Sequence, residues 1–282
     1  MQVFSSKKDL ELQLAPLASS AVSIGLVPTM GALHKGHISL VEKAVTMHDA
    51  VVVTIFVNPT QFNNAEDLQN YPNDINNDIA LLQEVSNDIL VFAPTVNEMY
   101  TNTVAAQTYD FEGLEHVMEG AFRADHFDGV GTIVEALLRL VKPHSAYFGE
   151  KDFQQLQIIK KLVSLKDIPV QIVGCPIVRE THGLAMSSRN ERLSKAVRKE
   201  AAFIFKTLKK VKTKFGTKSA SEVIEWVTKE FKAHPQLRLE YMSITDATTL
   251  QAVEKKEPNV KYRAFIAVYA DDVRLIDNIA LN

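Results

Sequence analysis

The feature that most constrains the fold is the run Pro28-Thr29-Met30-Gly31-Ala32-Leu33-His34-Lys35-Gly36-His37, together with what flanks it. Residues 21–27 are mostly apolar, and residues 36–47 carry Ile38, Val41 and Val45 at helical spacing. The sequence therefore predicts strand, glycine-rich turn, helix. A helix start presents backbone N–H groups without intrahelical partners and a partial positive charge, which suits phosphate. Gly31 and Gly36 let the backbone come close. His34 and His37 add side-chain donors that can hold a transferring phosphoryl group. Either histidine taken singly reads as a surface residue at a helix cap. The pair in this setting points to a nucleotide site.

The same alternation continues down the chain. Residues 50–57 are too β-branched and too few for a favoured helix, and Asn58-Pro59 halts sheet pairing. Residues 60–71 read as a polar loop, and residues 72–85 as a helix with Ile75, Ile79 and Leu82 on one side. Residues 89–92 are a short strand, residues 103–111 a further strand candidate, and residues 129–141 a helix carrying Ile133, Leu137 and Leu140. A second junction of the first design follows: strand 144–148, the turn at Gly149, then helix 151–164 with Leu156, Ile159 and Val163. Residues 169–178 form one more strand. Ahead of the first strand, at residues 21–27, lies only a weak helical stripe, Leu10, Leu14 and Leu17. Strands alternating with helices indicate βαβ units and a parallel sheet. Ligands of such sheets collect at the carboxyl ends of the strands, so both junctions and residues 58–62 are expected to line one cleft.

After residue 178 the character changes. Residues 179–190 are polar and turn-rich, and Val197, Ala201, Ile204, Leu208, Val211 and Phe215 then mark one helical face. Lys206, Lys209, Lys210 and Lys214 read as the solvated side of that helix. Residues 220–233 are another helix, and residues 237–244, 264–270 and 273–276 are strands without long helices between them. The expected fold class is α/β: a Rossmann-like parallel-sheet domain over residues 1–178, then a smaller α+β domain over residues 179–282.

Composition narrows the function classes. A length of 282 residues admits two domains, and a hydrophobic fraction of 46% can supply their cores. The net charge of −3 gives no global attraction to nucleic acid or to an anionic membrane. Cys175 is the single cysteine, which fits a reducing compartment; its apolar neighbours at residues 172–178 favour packing over nucleophilic chemistry. No apolar run approaches the roughly 18 to 20 residues that span a bilayer, and the N-terminus lacks a signal-peptide core. A soluble cytoplasmic protein is expected.

Three further strings carry chemistry. Phe56-Val57-Asn58-Pro59-Thr60-Gln61-Phe62 puts two amides at a strand end, where Gln61 could hold a small hydroxy acid; an exposed Asn-Pro turn fits the residues equally well. Gly149-Glu150-Lys151-Asp152-Phe153-Gln154-Gln155-Leu156 sits at the second junction. Helix capping accounts for Glu150 there. It does not account for Lys151, whose charge is disfavoured at a helix start unless an anion is present. Gly183-Leu184-Ala185-Met186-Ser187-Ser188-Arg189-Asn190 sets two hydroxyls before an arginine that can bind phosphate bidentately, although an ordinary polar loop has the same composition. Ser194 reads simply as the N-cap of the next helix.

These four strings, in this order and spacing, resemble the pantothenate synthetase (pantoate–β-alanine ligase) family of the His-x-Gly-His nucleotidylyltransferase superfamily. The tail Arg274-Leu275-Ile276-Asp277-Asn278 fits as well. The resemblance implies an ATP-dependent ligase that first forms pantoyl adenylate and pyrophosphate, then pantothenate and AMP. By matched position it implies that Met30, Gly31, Ala32, Leu33, His34, Lys35, Gly36 and His37 contact ATP, with His37 as proton donor. Gly149, Glu150, Lys151, Asp152, Val178, Met186, Ser187, Ser188 and Arg189 complete the ATP site, the last of these from a C-terminal lid. His34, His37, Lys151 and Arg189 form the catalytic set, and Gln61 and Gln155 hold pantoate. The resemblance further implies Mg²⁺ brought with ATP, no tightly bound organic cofactor and a homodimer. Asp78 matches an acidic position near the metal, though Asp74 competes for that role and Asp78 also reads as a solvated helix residue. The partners implied are ATP, pantoate and β-alanine, with neither nucleic acid nor membrane.

Five positions depart from the family pattern. Asn73 stands where arginine is common, Ala124 follows Arg123 where proline is usual, and Asp125 adds a negative charge. His182 replaces a frequent aspartate, and Thr60 a methionine. Two other readings compete: a superfamily enzyme that leaves its nucleotide on the product, and a non-catalytic nucleotide-binding protein. The Gln61 and Gln155 strings argue against the first, the intact His34, His37, Lys151 and Arg189 against the second.

Overall fold

The computed structural model describes residues 1–18, 20–100 and 103–282. Two compact units emerge. The first comprises Met1–Glu115, Glu119–Glu150 and Gln155–Pro176; the second comprises His116–Met118, Lys151–Gln154 and Ile177–Asn282.

The first unit is built on six parallel strands: β1 (Gln2–Phe4), β2 (Ile24–Thr29), β3 (Ala50–Ile55), β4 (Leu90–Phe92), β5 (Ser145–Gly149) and β6 (Gln171–Cys175). They lie in the order β1-β4-β3-β2-β5-β6. β2 and β3 are almost wholly buried, as strands covered on both faces must be, and their apolar runs follow from that. From β2 the chain steps outward to β3 and β4, then returns to place β5 on the other side of β2. The reversal puts the topological switch point between β2 and β5. Pairing there is brief, Gly25 with Ser145 and Leu26 with Ala146, and two residues further on Pro28 has no N–H to donate.

Helices α1 (Lys7–Ala18), α2 (Lys35–Met47), α4 (Ile75–Val85), α7 (His126–Val141) and α8 (Phe153–Leu165) alternate with these strands, with short helices α3 (Ala65–Gln69), α5 (Val96–Met99) and α6 (Glu119–Phe122) in the connections. α2 and α4 share one apolar cluster with the sheet, in which Val27, Val41, Val53, Leu82 and Val91 are fully buried. Truncating Leu82 to alanine costs about 2 to 5 kcal/mol.

The second unit pairs an antiparallel sheet of β7 (Leu237–Asp246), β8 (Tyr262–Ala270) and β9 (Val273–Ala280) with helices α9 (Lys195–Glu200), α10 (Ala202–Phe215) and α11 (Ala220–Lys232). Ile204, Leu208 and Val211 from α10, Val223 and Val227 from α11, and Ile266 and Val268 from the central strand form its core. Lys206, Lys209 and Lys210 are exposed, as their spacing predicts, while Lys214 covers the Trp226 ring.

The structure corrects several expectations. The first strand is β1, ahead of the stripe of α1, not residues 21–27. Residues 103–111 are not a strand. Three of their amides are taken by side chains instead: Gln107 N–H by Thr132 Oγ1, Tyr109 N–H by Asp128 Oδ1 and Phe111 N–H by Glu115 Oε1. The face running from Val197 to Phe215 is two helices that break at Ala201. The strand ahead of Val178 ends at Cys175, because Pro176 cannot extend the ladder. The loop after β3 holds a 3₁₀ turn at Pro59–Gln61 and the short α3. Cys175 is buried, and burial pushes its thiol up, in keeping with a packing role.

Candidate active site

The glycine turn leaves β2 at its carboxyl end, at the switch point. Gly31 (φ +79°) and Ala32 (φ +49°) occupy the left-handed region in succession. Every amide from Gly31 to His34 has an acceptor. Gly31 N–H donates to Thr29 Oγ1, which itself donates to the Thr54 carbonyl at 2.6 Å. Ala32 and Leu33 donate to the two oxygens of Asp78, and His34 to His37 Nδ1. These four amides belong to the turn and the cap; the first turn of α2 begins after them, at Lys35.

His34 is the N-cap of α2, and its Nδ1 accepts from Gly36 N–H at 3.1 Å. His37 Nδ1 accepts in return from His34 N–H at 3.4 Å, a longer and weaker bond, and the two rings stack with centroids 4.0 Å apart. This is a capping box made of histidines. An imidazole whose Nδ1 accepts a hydrogen bond carries its proton on Nε2, so both rings are held in the tautomer that donates from Nε2. Lys35 and Gly36 form the first turn of α2.

After β3, the 3₁₀ turn at Pro59–Gln61 carries Gln61. Its Nε2 donates to Met30 Sδ at 2.8 Å and its Oε1 accepts from Asn58 Nδ2 at 3.2 Å, so the side chain bridges the two turns. Asn58 itself is 1% exposed. It donates to the Gly129 carbonyl and accepts from Thr60 and Tyr100 hydroxyls, which makes it the framework of this turn. Arg123 Nη2 and His126 Nδ1 both meet the Gln61 carbonyl, at 3.2 and 2.8 Å. Gly149 ends β5 beside β2, Glu150 follows it, and Gln155 lies half-buried in the first turn of α8.

In the second unit, Lys151 lies in the 3₁₀ turn Glu150–Asp152, with its Nζ 3.5 Å from Asp152 Oδ1. Its carbonyl accepts from Asn278 Nδ2 at 2.8 Å, and Asn278 in turn accepts from Arg263, whose guanidinium lies over the Phe153 ring. Val178 and Met186 face each other in a tight hairpin, Met186 N–H donating to the Val178 carbonyl, with Gly183 (φ +107°) at its turn. Ser187 caps the following 3₁₀ turn by accepting from Arg189 N–H; Ser188 is buried and Arg189 half-buried. Beneath the hairpin Arg179 holds Asp277 bidentately at 2.6 and 2.9 Å and stacks on Phe205. Burial alone would push the Glu180 carboxyl up, but hydrogen bonds from Arg198 and Asn190 hold it below the usual carboxylate range. Ser194 is the N-cap of α9, as its position predicts.

Comparison with known proteins decides the family. The profile of pantoate-beta-alanine ligase matches residues 2–280. The chain belongs to the pantoate–β-alanine ligase family. It is 57% identical to the pantothenate synthetase of Christiangramia forsetii over 282 residues and 50% identical to that of Flavobacterium psychrophilum over 281, each match covering 100% of both chains. A crystal structure of pantothenate synthetase from Thermus thermophilus superposes with a TM-score of 0.90 at 39% identity, covering 100% of this chain and 99% of that one. The ligase from Francisella tularensis, solved with β,γ-ATP and β-alanine, gives 0.84 at 36% identity and covers 100% of this chain and 98% of that one. Membership makes the chain a carbon–nitrogen ligase and sets aside an enzyme that leaves its nucleotide on the product.

Several departures from the family pattern have local explanations. Thr60 uses its hydroxyl on Asn58 and Tyr100, a polar anchor where a methionine could only pack. Asp125 sits before α7 at φ +58°, a conformation aspartate tolerates, and the Ala124 carbonyl accepts from Asn63. His182 Nε2 meets the Arg198 carbonyl at 2.9 Å. Asn73 is exposed. Sequence reasoning missed Tyr100 as a support of the Gln61 turn and, in the second unit, Arg263 as a support of Asn278. Only Asn278 left a signal, in the family-like tail string.

Proposed function

We propose that this ligase condenses pantoate with β-alanine in two displacements, both drawing on the residues described above. A pantoate carboxylate oxygen attacks the α-phosphorus of ATP; the bond from that phosphorus to its bridging oxygen breaks, and pyrophosphate leaves. The amine of β-alanine then attacks the acyl carbon, and the carbon–oxygen bond of pantoyl adenylate breaks. AMP departs with the oxygen pantoate brought, and the amine sheds its proton to solvent or base.

Carboxylate is a weak nucleophile and phosphate oxygens repel it, so the protein's task is to neutralise charge and align the reactants. In this reading Met30 to His37 face ATP, and His34 and His37 donate from Nε2 to its phosphate oxygens, His37 serving as proton donor. Lys151 and Arg189 supply positive charge, and Gly149 to Asp152, Val178 and Met186 to Ser188 complete the nucleotide site. Gln61 and Gln155 orient pantoate. The second unit, taken with the boundary at residue 178, acts as the lid that keeps water from the adenylate. The observation that supports the reading most is the reciprocal His34–His37 cap, because it directs a donor from each ring away from the helix start.

Mg²⁺ is proposed to arrive on the triphosphate. Asp78 does not fit as its ligand, since it is fully buried and both its oxygens already accept backbone N–H groups, so no step is routed through the metal. Among the described residues no helix is long and apolar enough to cross a membrane. Work as a homodimer in the cytoplasm completes the proposal, and light scattering of the purified protein checks the dimer. The chemistry is tested by product analysis: AMP and pantothenate form in equal amounts only with pantoate, β-alanine and ATP together. ADP as the nucleotide product overturns it.

A further inference from the structure

We propose that the Asp78 carboxylate is a positioning group for the ligase reaction, shaping the turn at residues 31–34 and acting through Ala32 and Leu33 instead of ligating magnesium. The proposal rests on the ATP-facing role given to that turn.

Asp78 projects from α4, one turn beyond the Asp74 cap, yet it is 0% exposed. Its Oδ1 accepts from Leu33 N–H at 2.7 Å and its Oδ2 from Ala32 N–H at 3.0 Å. The turn aims two successive backbone N–H groups, those of Ala32 and Leu33, at one carboxylate. Here the chain supplies its own anion. Alanine does not adopt φ +49° without constraint, and the two bonds to Asp78 are that constraint. The fit is tight: a Cβ on Gly31 would lie 2.9 Å from Asp78 Oδ2 and 3.0 Å from Ile55 Cγ2, so glycine is required there twice over, by φ and by space.

Only a carboxylate can do this. It accepts on both oxygens, whereas an amide or a protonated acid turns a donor toward one of the two N–H groups. Burial, with the neighbouring Asp74 charge adding to it, raises the Asp78 carboxyl above its ordinary value, although the Leu33 and Ala32 amides pull it down. A magnesium ion, by contrast, keeps several waters and needs oxygens it can reach. The two bonds to Asp78 therefore fix the entry to α2, and with it where His34 and His37 stand.

The test is Asp78→Asn, the isosteric change. A misplacement of about 1 Å costs on the order of 100-fold, so kcat/KM for ATP is expected to fall by about that factor, with the ATP KM raised and the pantoate KM unchanged. Raising Mg²⁺ does not restore it. In the unaltered protein the Ala32 and Leu33 amides are expected to be among the slowest to exchange with deuterated water within residues 28–37. Recovery at high Mg²⁺ overturns the proposal in favour of a metal ligand. So does a loss of kcat alone with both KM values unchanged, which reports fewer folded molecules. Fast exchange at Ala32 and Leu33 overturns it even if the variant does not fold. Failure of the ATP-facing role itself is distinguishable, because slow exchange at those amides would then persist while Asp78→Asn left the ATP KM at the parent value.

Discussion

Gly129→Ala tests how closely α7 supports the turn that carries Gln61. A Cβ on Gly129 would lie 2.2 Å from the Thr60 carbonyl oxygen and 2.7 Å from Gln61 N, both backbone atoms, where real Cβ contacts stay beyond 3.0 Å. The turn or the helix must therefore retreat by about 0.8 Å, and that retreat also stretches the Asn58 bond to the Gly129 carbonyl. Overpacking of this kind costs about 1 to 3 kcal/mol of stability. Because a displacement near 1 Å costs about 100-fold in reactivity, kcat/KM for pantoate is expected to fall by about 10- to 100-fold. The ATP constants should change less, since Thr29, Thr54 and Asp78 hold the glycine turn independently. The assay is steady-state kinetics with pantoate varied at saturating ATP and β-alanine, beside a thermal melt, with Gln61→Ala as the reference for loss of the side chain. If Gly129→Ala melts with the parent and keeps its pantoate KM, the close approach of α7 does not position Gln61.

Three other outcomes follow from the same geometry. His37→Ala should keep the fold but lose about 2.7 to 4 kcal/mol of transition-state stabilisation, the usual cost of one preorganised donor, read as the rate of pantoate-dependent exchange of pyrophosphate into ATP. Tyr109→Phe removes the hydroxyl that donates to Glu135 at 2.9 Å and should cost about 1 kcal/mol in urea unfolding with kinetic constants unchanged, because Arg139 still pairs with Glu135. The Glu180 carboxyl is held below its ordinary value, so its contribution to stability is complete above the usual carboxylate range and is lost as pH falls through the lowered value. Arg198→Met should therefore flatten the acid limb of a stability–pH profile measured by thermal melting.

The parts of the fold that the sequence disclosed were those carried by local periodicity and turn chemistry. The β2–turn–α2 junction, the β5–turn–α8 junction and the apolar faces of α10 and α11 all lie in contiguous residues. The misses have physical causes. β1 is three residues long, too short for any period to register. The face from Val197 to Phe215 stays buried across the break at Ala201, so hydrophobic spacing carries no sign of it. Residues 103–111 have strand-like composition, but side chains of distant helix residues claim their amides. Asp78 gives least sign of its place. Beside Asn76 and Asn77 it resembles a solvated helix residue, and its partners are backbone N–H groups more than forty positions earlier, which no side-chain pattern announces.

In the proposed chemistry a pantoate carboxylate oxygen, drawn to the α-phosphorus at the glycine turn, is the nucleophile of the first step. Pantoate labelled with ¹⁸O in both carboxylate oxygens, turned over with ATP and β-alanine, measures this by mass spectrometry of the products. One ¹⁸O in each AMP formed, and none in pyrophosphate, is the result predicted. Unlabelled AMP, or label released in inorganic phosphate beside ADP, would contradict it.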